Sequence, residues 1–350
     1  MVHDGYVTTG LAFVLTKKDA ERLVPGGHYN PCQWAPKDGK AQGRCCVNCS
    51  EGGSAPGNLP LNSEWLKDLT REDLGAIRLP TLGMIVAMIT RFERTAAANG
   101  HTGRPTRAWR MDLKAAYTLL TTRAQDVHLM GSELPGDIMV FFMRGTFGWA
   151  AMPFYFNIVT KAVSWELQEG TEYNLSGDAL MYVDDIIGIS FEDELQEDLN
   201  TVRRLVNNLL GKHAVAEDKT ILESNGELDA IGYKIDLRGR HVSISKRNVK
   251  KAFFAAFSVG DGAAITQKEI QRVAAHCARY KMICPIMGPY CRALYSACLS
   301  HTLKHVRFDL NEAQMTAVGV MRALLLLTEV DREAFTRSFD SFDQRTMDPT

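Results

Sequence analysis

The 350-residue sequence lacks several features that assign a chain to a simple class. It has no run of 18 apolar residues, so we expect no membrane-spanning helix and no membrane partner. Its N-terminus lacks the charged-then-apolar order of a signal peptide, and neither internal repeats nor low-complexity tracts occur. The eight cysteines do not resemble a secreted disulfide scaffold, so we expect free thiols in a reducing, intracellular compartment, the cytoplasm or the nucleus.

The chain also has almost no net charge, at −1, so its overall charge gives no signal for nucleic-acid binding. The distribution is uneven, because residues 166–229 are acidic and residues 234–307 are mainly basic. An acidic centre beside a basic segment would suit a metal site next to a polyanion, although two solvated faces would give the same pattern. With 45% apolar residues, the chain can bury a core and form more than one subdomain.

Two adjacent acids, Asp184 and Asp185, separate the apolar runs ALMYV and IIGISF within residues 179–191. Two β-rich runs parted by two residues predict a β-hairpin, but such turns favour Asn-Gly or Asp-Gly. A bound divalent cation would offset the repulsion between the acids, because Mg²⁺ prefers carboxylate, water and phosphate oxygens. A solvated acidic turn is the alternative.

A third acid, Asp112, follows a short strand-like run in the segment AWRMDLKAAY. By itself this residue would more often be a helix N-cap. The aromatic residue five positions later, Tyr117, would by itself be a core residue. The two are therefore candidates whose role depends on the rest of the chain.

These motifs together resemble those of reverse transcriptases. The segment YVDD at 182–185 resembles the Tyr-x-Asp-Asp signature of the family, motif C, and DLKAAY resembles motif A. The resemblance covers residues 30–300 and includes motifs A to E in order. It implies that Asp112, Asp184 and Asp185 are catalytic residues that bind two Mg²⁺ ions, with Mn²⁺ as an alternative, about 3.5–4 Å apart.

The same resemblance implies a nucleotide-binding site. KDGKAQGR at 37–44 is similar to the fingers hairpin in which a lysine and an arginine grip the triphosphate, here Lys37 and Arg44. In the family, an aromatic at the place of Tyr117 excludes the ribose 2′-OH, and the motif D lysine, here Lys219, lies near the triphosphate. Without the resemblance, the alternatives are a solvated hairpin, a core aromatic and a surface lysine.

The segment RGTFGWAAMP at 144–153 resembles motif B. Phe147 and Gly148 fall at the nucleotide-binding positions of that motif. Gly145 and Thr146 replace the usual Leu-Pro, and Met152 replaces a small residue. The resemblance implies that these departures affect template positioning and not the metal site. Motif B therefore matches in part.

Residues 228–245 predict a hairpin with its turn at 236–240. Ile231, Gly232 and Tyr233 resemble the primer grip, motif E, of the family. A glycine inside a strand often marks a close backbone approach, which the resemblance assigns to the primer.

The N-terminal cysteines offer a different chemistry. His28, Cys32, Cys45, Cys46 and Cys49 contain the donor atoms of a zinc site, but only one pair has C-x₂-C spacing and no second pair follows. Zinc knuckles are tight turns, whereas these cysteines lie in a strand-like run. We therefore expect them to pack in a strand.

Hydrophobic periodicity and capping signals predict most of the helices. The predicted helices lie at 79–94, at 153–170 with Pro153 in the first turn, at 195–209 before Gly211, in the basic segment 246–303 with a capping box at Thr266 and Glu269, and at 315–327.

We therefore expect an α+β fold, a right-hand polymerase with an antiparallel palm sheet backed by helices, fingers and a helical thumb. The expected boundaries are fingers at 1–80, palm at 81–245 with a fingers insertion around 121–144, thumb at 246–308, and a connection-like tail at 309–350 without a complete ribonuclease H domain.

The implied function is that of an RNA-directed DNA polymerase of a retrotransposon-type element. It would extend a primer on an RNA or DNA template with dNTPs by two-metal phosphoryl transfer. The alternative is a catalytically decayed protein that still binds template and primer. An RNA-copying polymerase is disfavoured, because that class resembles Gly-Asp-Asp and usually lacks the aromatic gate.

Overall fold

The computed structural model describes residues 6–37, 40–51, 60–260, 264–300, 306–331 and 335–342, except for the side chains at positions 34, 36, 37 and 40–44. The helices in these ranges are α1 (Lys17–Leu23), α2 (Glu64–Leu74), α3 (Leu82–Ala98), α4 (Met152–Gln168), α5 (Leu195–Leu210), α6 (Lys246–Phe257), α7 (Gln267–Ile283), α8 (Gly288–Ser300) and α9 (Glu312–Val330). The strands are β1 (Ala12–Thr16), β2 (Cys32–Lys37), β3 (Lys40–Val47), β4 (Thr106–Asp112), β5 (Gly131–Leu134), β6 (Ile138–Phe142), β7 (Asp178–Tyr182), β8 (Asp185–Phe191), β9 (Ile221–Leu222), β10 (Glu227–Ala230), β11 (Tyr233–Asp236), β12 (His241–Ile244), β13 (Ile265–Thr266), β14 (Arg307–Phe308) and β15 (Arg337–Ser338).

The chain divides into two compact units, each built from separate segments. The first unit contains Met1–Leu79, Met111–Ile186 and Glu194–Thr220, and the second contains Pro80–Arg110, Ile187–Asp193 and Ile221–Thr350. The expected boundaries of fingers, palm and thumb follow from the family resemblance and not from compactness, and they stay predictions.

Local signals explain where the helices begin and end. Helix α3 begins after Thr81, whose side chain accepts a hydrogen bond from the backbone N–H of Met84. Helix α5 ends at Gly211, which has a φ of +95° that a residue with a side chain would rarely adopt. The predicted helices at 79–94 and 195–209 are therefore confirmed, with ends shifted by up to four residues.

In the first unit, β1, β6 and β5 form an antiparallel sheet in that order. The β5–β6 hairpin has no counterpart in the sequence-based predictions, although Pro135, Gly136 and Asp137 are turn residues and the last two have positive φ. Cys45 of β3 packs in an apolar cluster with Val140 and Phe142, so packing in a strand is confirmed for this cysteine. Cys49 packs in the same cluster but lies two residues beyond the end of β3.

Four strands form a sheet in the order β7-β8-β4-β9. In the second unit, Trp109 of β4 pairs with Leu222 of β9 and is completely buried. Its indole Nε1 donates a hydrogen bond to Ser190 Oγ at 2.9 Å. A Cβ at Gly188 would lie 2.2 Å from the Trp109 ring, so this glycine allows the ring to cross β8.

The second unit also contains the sheet β10-β11-β12-β15. Its first two strands are joined by a turn at Ile231 and Gly232, where the sequence predicted a continuous strand. The prediction was wrong here because two consecutive residues with positive φ, +43° and +90°, form a tight turn. The turn that the sequence did predict, at 236–240, lies between β11 and β12 as expected.

Helices α6 to α9 form the C-terminal part of the second unit. The predicted capping box is present at the start of α7, where Thr266 and Glu269 exchange hydrogen bonds. Arg322 of α9 donates to the carbonyl oxygens of Ala256, at 3.1 Å, and Val259, and so satisfies orphan acceptors at the end of α6.

Within the described residues, one helix, α9, is long and apolar enough to cross a membrane by length and composition. Core helices of soluble proteins meet the same criterion, and Ala317, Val318, Met321 and Leu325 of this helix are fully buried. The expected absence of a membrane span stays a prediction.

Candidate active site

The first unit brings the predicted catalytic acids to one place. Asp112 ends β4, and the backbone N–H of the next residue, Leu113, donates to the carbonyl oxygen of Asp184 at 2.9 Å. Asp185 directly follows Asp184 in the chain. The backbones that carry the three acids are therefore immediate neighbours, as the two-strand arrangement predicted.

The turn that carries the acids differs from the predicted one by a single position. Its two residues are Val183 and Asp184, and Asp185 is already the first residue of β8. Val183 has a φ of +56°, which is an outlier for a β-branched residue. Thr160 of α4, itself buried, donates to the Val183 carbonyl oxygen at 3.3 Å. Such strained positions cluster at functional sites.

Lys219 lies beside Asp112. The Lys219 ammonium forms an ion pair with Asp112 Oδ2. The backbone around the lysine is attached to the same strand end, because Ala216 N–H donates to the Asp112 carbonyl oxygen at 2.8 Å. The resemblance placed Lys219 near a triphosphate, and the structure pairs it with Asp112.

The donor chemistry of this site fits a hard divalent cation. Three carboxylates from adjacent backbone positions are suitable ligands for Mg²⁺, and Asp112 is only 14% exposed. As the side chains stand in the described part of the chain, however, no group of three or more His, Cys, Asp or Glu residues has the arrangement of a metal site. Asp112 would have to exchange Lys219 for the metal.

Tyr117 lies close to the acids. Its ring packs against Phe147 at 5.1 Å and Phe156 at 5.7 Å between centroids. Burial, and then the negative charge of Asp184, raise the pKa of the Tyr117 hydroxyl. The half-buried tyrosine is thus part of an aromatic cluster beside the acidic turn. This position is compatible with both interpretations of Tyr117, exclusion of the ribose 2′-OH and packing in the core.

The loop before α4, which resembles motif B, is fixed by close contacts. Gly148 has a φ of +114°, and a Cβ there would lie 1.8 Å from the Val47 carbonyl oxygen. Val47 N–H donates to the Phe147 carbonyl oxygen at 2.8 Å. Asn62 donates to the Gly148 carbonyl oxygen and accepts from Ala150 N–H, both at 2.7 Å. Nothing in the sequence marked Asn62.

The departures from motif B are matched to each other. A Cβ at Gly145 would lie 2.3 Å from Met152 Sδ and 2.4 Å from the Tyr117 carbonyl oxygen. The leucine that is usual at this position would clash, because Met152 fills its space. Gly145 and Met152 are therefore packed against each other beside the Tyr117 backbone.

The predicted primer grip lies in the second unit. The Gly232 carbonyl oxygen accepts from Ser245 N–H at 3.2 Å and from Asn248 Nδ2 at 3.1 Å. Asn248 Oδ1 in turn accepts from Arg279 at 2.9 Å, and Tyr233 donates its hydroxyl to the Arg279 carbonyl oxygen at 3.3 Å. The sequence did not mark Asn248 or Arg279, which lie far from the motif in the chain.

The two predicted triphosphate ligands, Lys37 and Arg44, are placed only by their backbone. Lys37 ends β2, and Arg44 of β3 pairs with Ala35. Their side chains lie outside the described residues, as do residues 38 and 39 of the predicted turn. Their role stays a prediction.

The architecture is similar to that of known polymerases. The foamy viral protease-reverse transcriptase dRH in complex with double-stranded DNA superposes with a TM-score of 0.59 at 15% identity, over 93% of this chain and 46% of that one. The chain has a reverse-transcriptase-like fold. The foamy viral protease-reverse transcriptase in complex with double-stranded DNA gives a TM-score of 0.54 at 14% identity, over 93% of this chain and 56% of that one.

The reverse-transcriptase-like fold confirms the predicted fold class, a right-hand polymerase with an antiparallel palm sheet, fingers and a helical thumb. The chain spans about half the length of the foamy viral proteins. No protein-family model and no curated protein matches its sequence. Origin from a retrotransposon stays a prediction.

Proposed function

We propose that this protein is an RNA-directed DNA polymerase that extends a primer with dNTPs. The observation that carries the proposal is the hydrogen bond from Leu113 N–H to the Asp184 carbonyl oxygen. It brings a third carboxylate, Asp112, to the acidic turn in a chain with a reverse-transcriptase-like fold. The fold by itself does not define an activity, whereas three acids on neighbouring backbone positions support phosphoryl transfer.

In this proposal, Asp112, Asp184 and Asp185 hold two Mg²⁺ ions, with Mn²⁺ as an alternative. Bound metal would stabilise the attacking and leaving oxygens of phosphoryl transfer. The chain contributes the placement of these acids: β4 fixes Asp112, and the bond from Thr160 to the Val183 carbonyl oxygen holds the turn of Asp184.

The other predicted site residues would bind the substrates. Lys37 and Arg44 would grip the triphosphate, and Phe147 and Gly148 would border the incoming base and sugar. The turn at 231–233 would contact the primer, paired with an RNA or DNA template. The order of the five motifs supports a retroelement as the source of the chain.

A primer-extension assay on an RNA template with Mg²⁺ tests the proposal. We expect Asp184→Asn to lower the extension rate by at least roughly 100-fold, the scale for removing one electrostatic stabiliser. Template–primer binding, measured by fluorescence anisotropy, should persist. Asp218→Asn, an exposed acid next to Lys219, is the matched control and should extend normally. Undiminished extension by Asp184→Asn would overturn the assignment.

The assay also separates the alternative function. A wild-type protein that binds template–primer tightly but extends it with neither Mg²⁺ nor Mn²⁺ is a decayed binding protein. The partial match to motif B is the reason for testing whether the wild-type protein binds template–primer without extending it.

Tyr117 is proposed to exclude ribonucleotides. Because its ring is held between Phe147 and Phe156, Tyr117→Ala should open space beside the sugar and raise the ratio of ribonucleotide to deoxyribonucleotide insertion by at least about 10-fold. Tyr117→Phe keeps the ring and should leave the ratio low. Equal ratios in wild type and Tyr117→Ala would show that the ring is only a core residue.

A further inference from the structure

The ion pair between Lys219 and Asp112 joins residues that are 107 positions apart in the sequence. Asp112 is 14% exposed and Lys219 is 38% exposed. The carboxylate is thus largely enclosed, while the lysine stem lies partly in solvent. The ammonium can therefore leave the pair towards water, whereas the acid stays in place.

The backbone on both sides of the pair is fixed. Lys114 N–H donates to the Ala214 carbonyl oxygen at 2.7 Å, and Ala216 N–H donates to the Asp112 carbonyl oxygen at 2.8 Å. The next residue, Glu217, accepts a hydrogen bond from Arg203 at 3.0 Å. Only the flexible four-carbon stem of Lys219 is left to move, so the position of its ammonium depends on which charges lie nearby.

An ammonium on Asp112 Oδ2 and a divalent cation on the same oxygen exclude each other, by contact and by like-charge repulsion.

We propose that Lys219 is the resident counter-ion of the catalytic acids and competes with divalent metal for Asp112. This inference rests on the proposed function, since it takes Asp112 as a metal ligand. Lys219 neutralises the site when no metal is bound and leaves Asp112 when metal enters. The triphosphate of a nucleotide would offer the released ammonium another anion.

Mn²⁺ binding to the full chain without nucleotide or template tests the competition, with free Mn²⁺ counted by electron paramagnetic resonance. We expect Lys219→Met to lower the Kd for Mn²⁺ by at least about 5-fold, the lower end of coupling between ligands at linked sites. Lys219→Gln should do the same and serves as a second variant if Met impairs folding. Lys212→Met, an exposed lysine in the same connection, is the control and should not change the Kd.

A double-mutant cycle assigns the effect to the pair. In an Asp112→Asn background, Lys219→Met should no longer tighten Mn²⁺ binding. Equal Kd values for wild type and both Lys219 variants would overturn the competition and leave the proposed function standing. A gain that persists in Asp112→Asn would also overturn it. Absence of saturable Mn²⁺ binding in every variant would overturn the metal site of the proposed function, and the competition with it.

Discussion

Each compact unit contains a turn in which a β-branched residue has a left-handed backbone, Val183 in the first and Ile231 in the second. Their polar surroundings differ. The first turn carries Asp184 beside Asp112, with Lys219 as counter-ion. The second is held by the amide of Asn248, which also binds Arg279. A left-handed turn thus lies beside acidic side chains in one unit and beside an arginine in the other.

The difference teaches which ligand each turn suits. Carboxylates around the first turn favour cations, and Lys219 already occupies one of them. In the second, Arg279 is positioned by a neutral amide, and no carboxylate among the residues that the structure describes lies within ion-pair distance of it. An arginine placed in this way retains its charge for an anion such as phosphate.

The largest expected difference between the two units is in the alkylation rates of their thiols. The Cys45 thiol donates to Cys32 Sγ at 3.6 Å and lowers the pKa of Cys32 to about 7, whereas burial raises the pKa of Cys277 on α7 to about 12. At pH 7 we expect Cys32 to be alkylated at least roughly 100-fold faster than Cys277, because its larger thiolate fraction outweighs the lower intrinsic nucleophilicity of a low-pKa thiolate. Timed iodoacetamide labelling with peptide mass spectrometry measures both rates.

The pH dependence of the Cys32 labelling rate tests whether the pKa of this thiol is lowered. Because the pKa is lowered, the Cys32 labelling rate should rise between pH 6 and 8 and then level off. Cys45→Ala removes the donor and should move the rise to higher pH. Cys49, whose pKa burial raises to about 12, is an internal control. A Cys32 rate that still climbs steeply from pH 8 to 9 would contradict the assignment.

Gly232→Ala should weaken the second turn. At a φ of +90° the new Cβ would lie 2.7 Å from Asn248 Nδ2, so we expect a loss of about 2 kcal/mol in the free energy of unfolding, combining backbone strain and displacement of the amide. Gly211→Ala has the same backbone strain at +95° with no atom within 4 Å. Denaturant unfolding of both variants isolates the contact. Equal losses would show that the contact adds nothing.

Arg279→Ala should lower affinity for template–primer a few-fold at about 0.1 M salt. If its guanidinium contacts one phosphate, the slope of log K against log salt should fall by about 0.9. Lys281→Ala, two residues further along α7 and exposed, removes the same charge from another face and should change the slope less. Anisotropy titrations over a salt series measure both slopes. An unchanged slope in Arg279→Ala would contradict the inference that the second turn places an arginine for phosphate.

Val183→Gly should have the smallest effect on stability. Relief of left-handed strain, about 1–2 kcal/mol, is partly offset by the entropy of glycine, about 0.5–1 kcal/mol, so we expect a rise in Tm of about 2 °C. Ile231→Gly is the matched change in the second unit and should give a similar rise. Extension should slow in Val183→Gly, since that turn carries Asp184. A fall in Tm would mean that packing of the Val183 side chain outweighs its strain.

Much of the fold followed from the sequence because its signals are local. The capping box at Thr266 and Glu269 and the glycine at the end of α5 each act within one helical turn, and both lie where predicted. The three acids of the candidate site were selected through their resemblance to motifs A and C, and their catalytic role stays a prediction. Their proximity to Tyr117 agrees with the same motifs.

The errors and omissions come from contacts between distant segments. The acidic turn is shifted by one residue, because its position is fixed by Leu113 and Thr160 and not by turn composition. The partner of Lys219 was not predicted, since a sequence gives no pairing across 107 positions. The sequence therefore indicated the chemistry of single residues better than it indicated which residues they contact.

The crossing of Trp109 over Gly188 constrains how this strand pair can evolve. Any side chain at position 188 would enter the indole ring, and a smaller residue at 109 would deprive the Ser190 hydroxyl of its donor. No member of the trio can therefore vary alone without a penalty. We expect related chains either to retain all three residues or to replace them together, with a smaller aromatic or aliphatic side chain compensating for growth at the glycine.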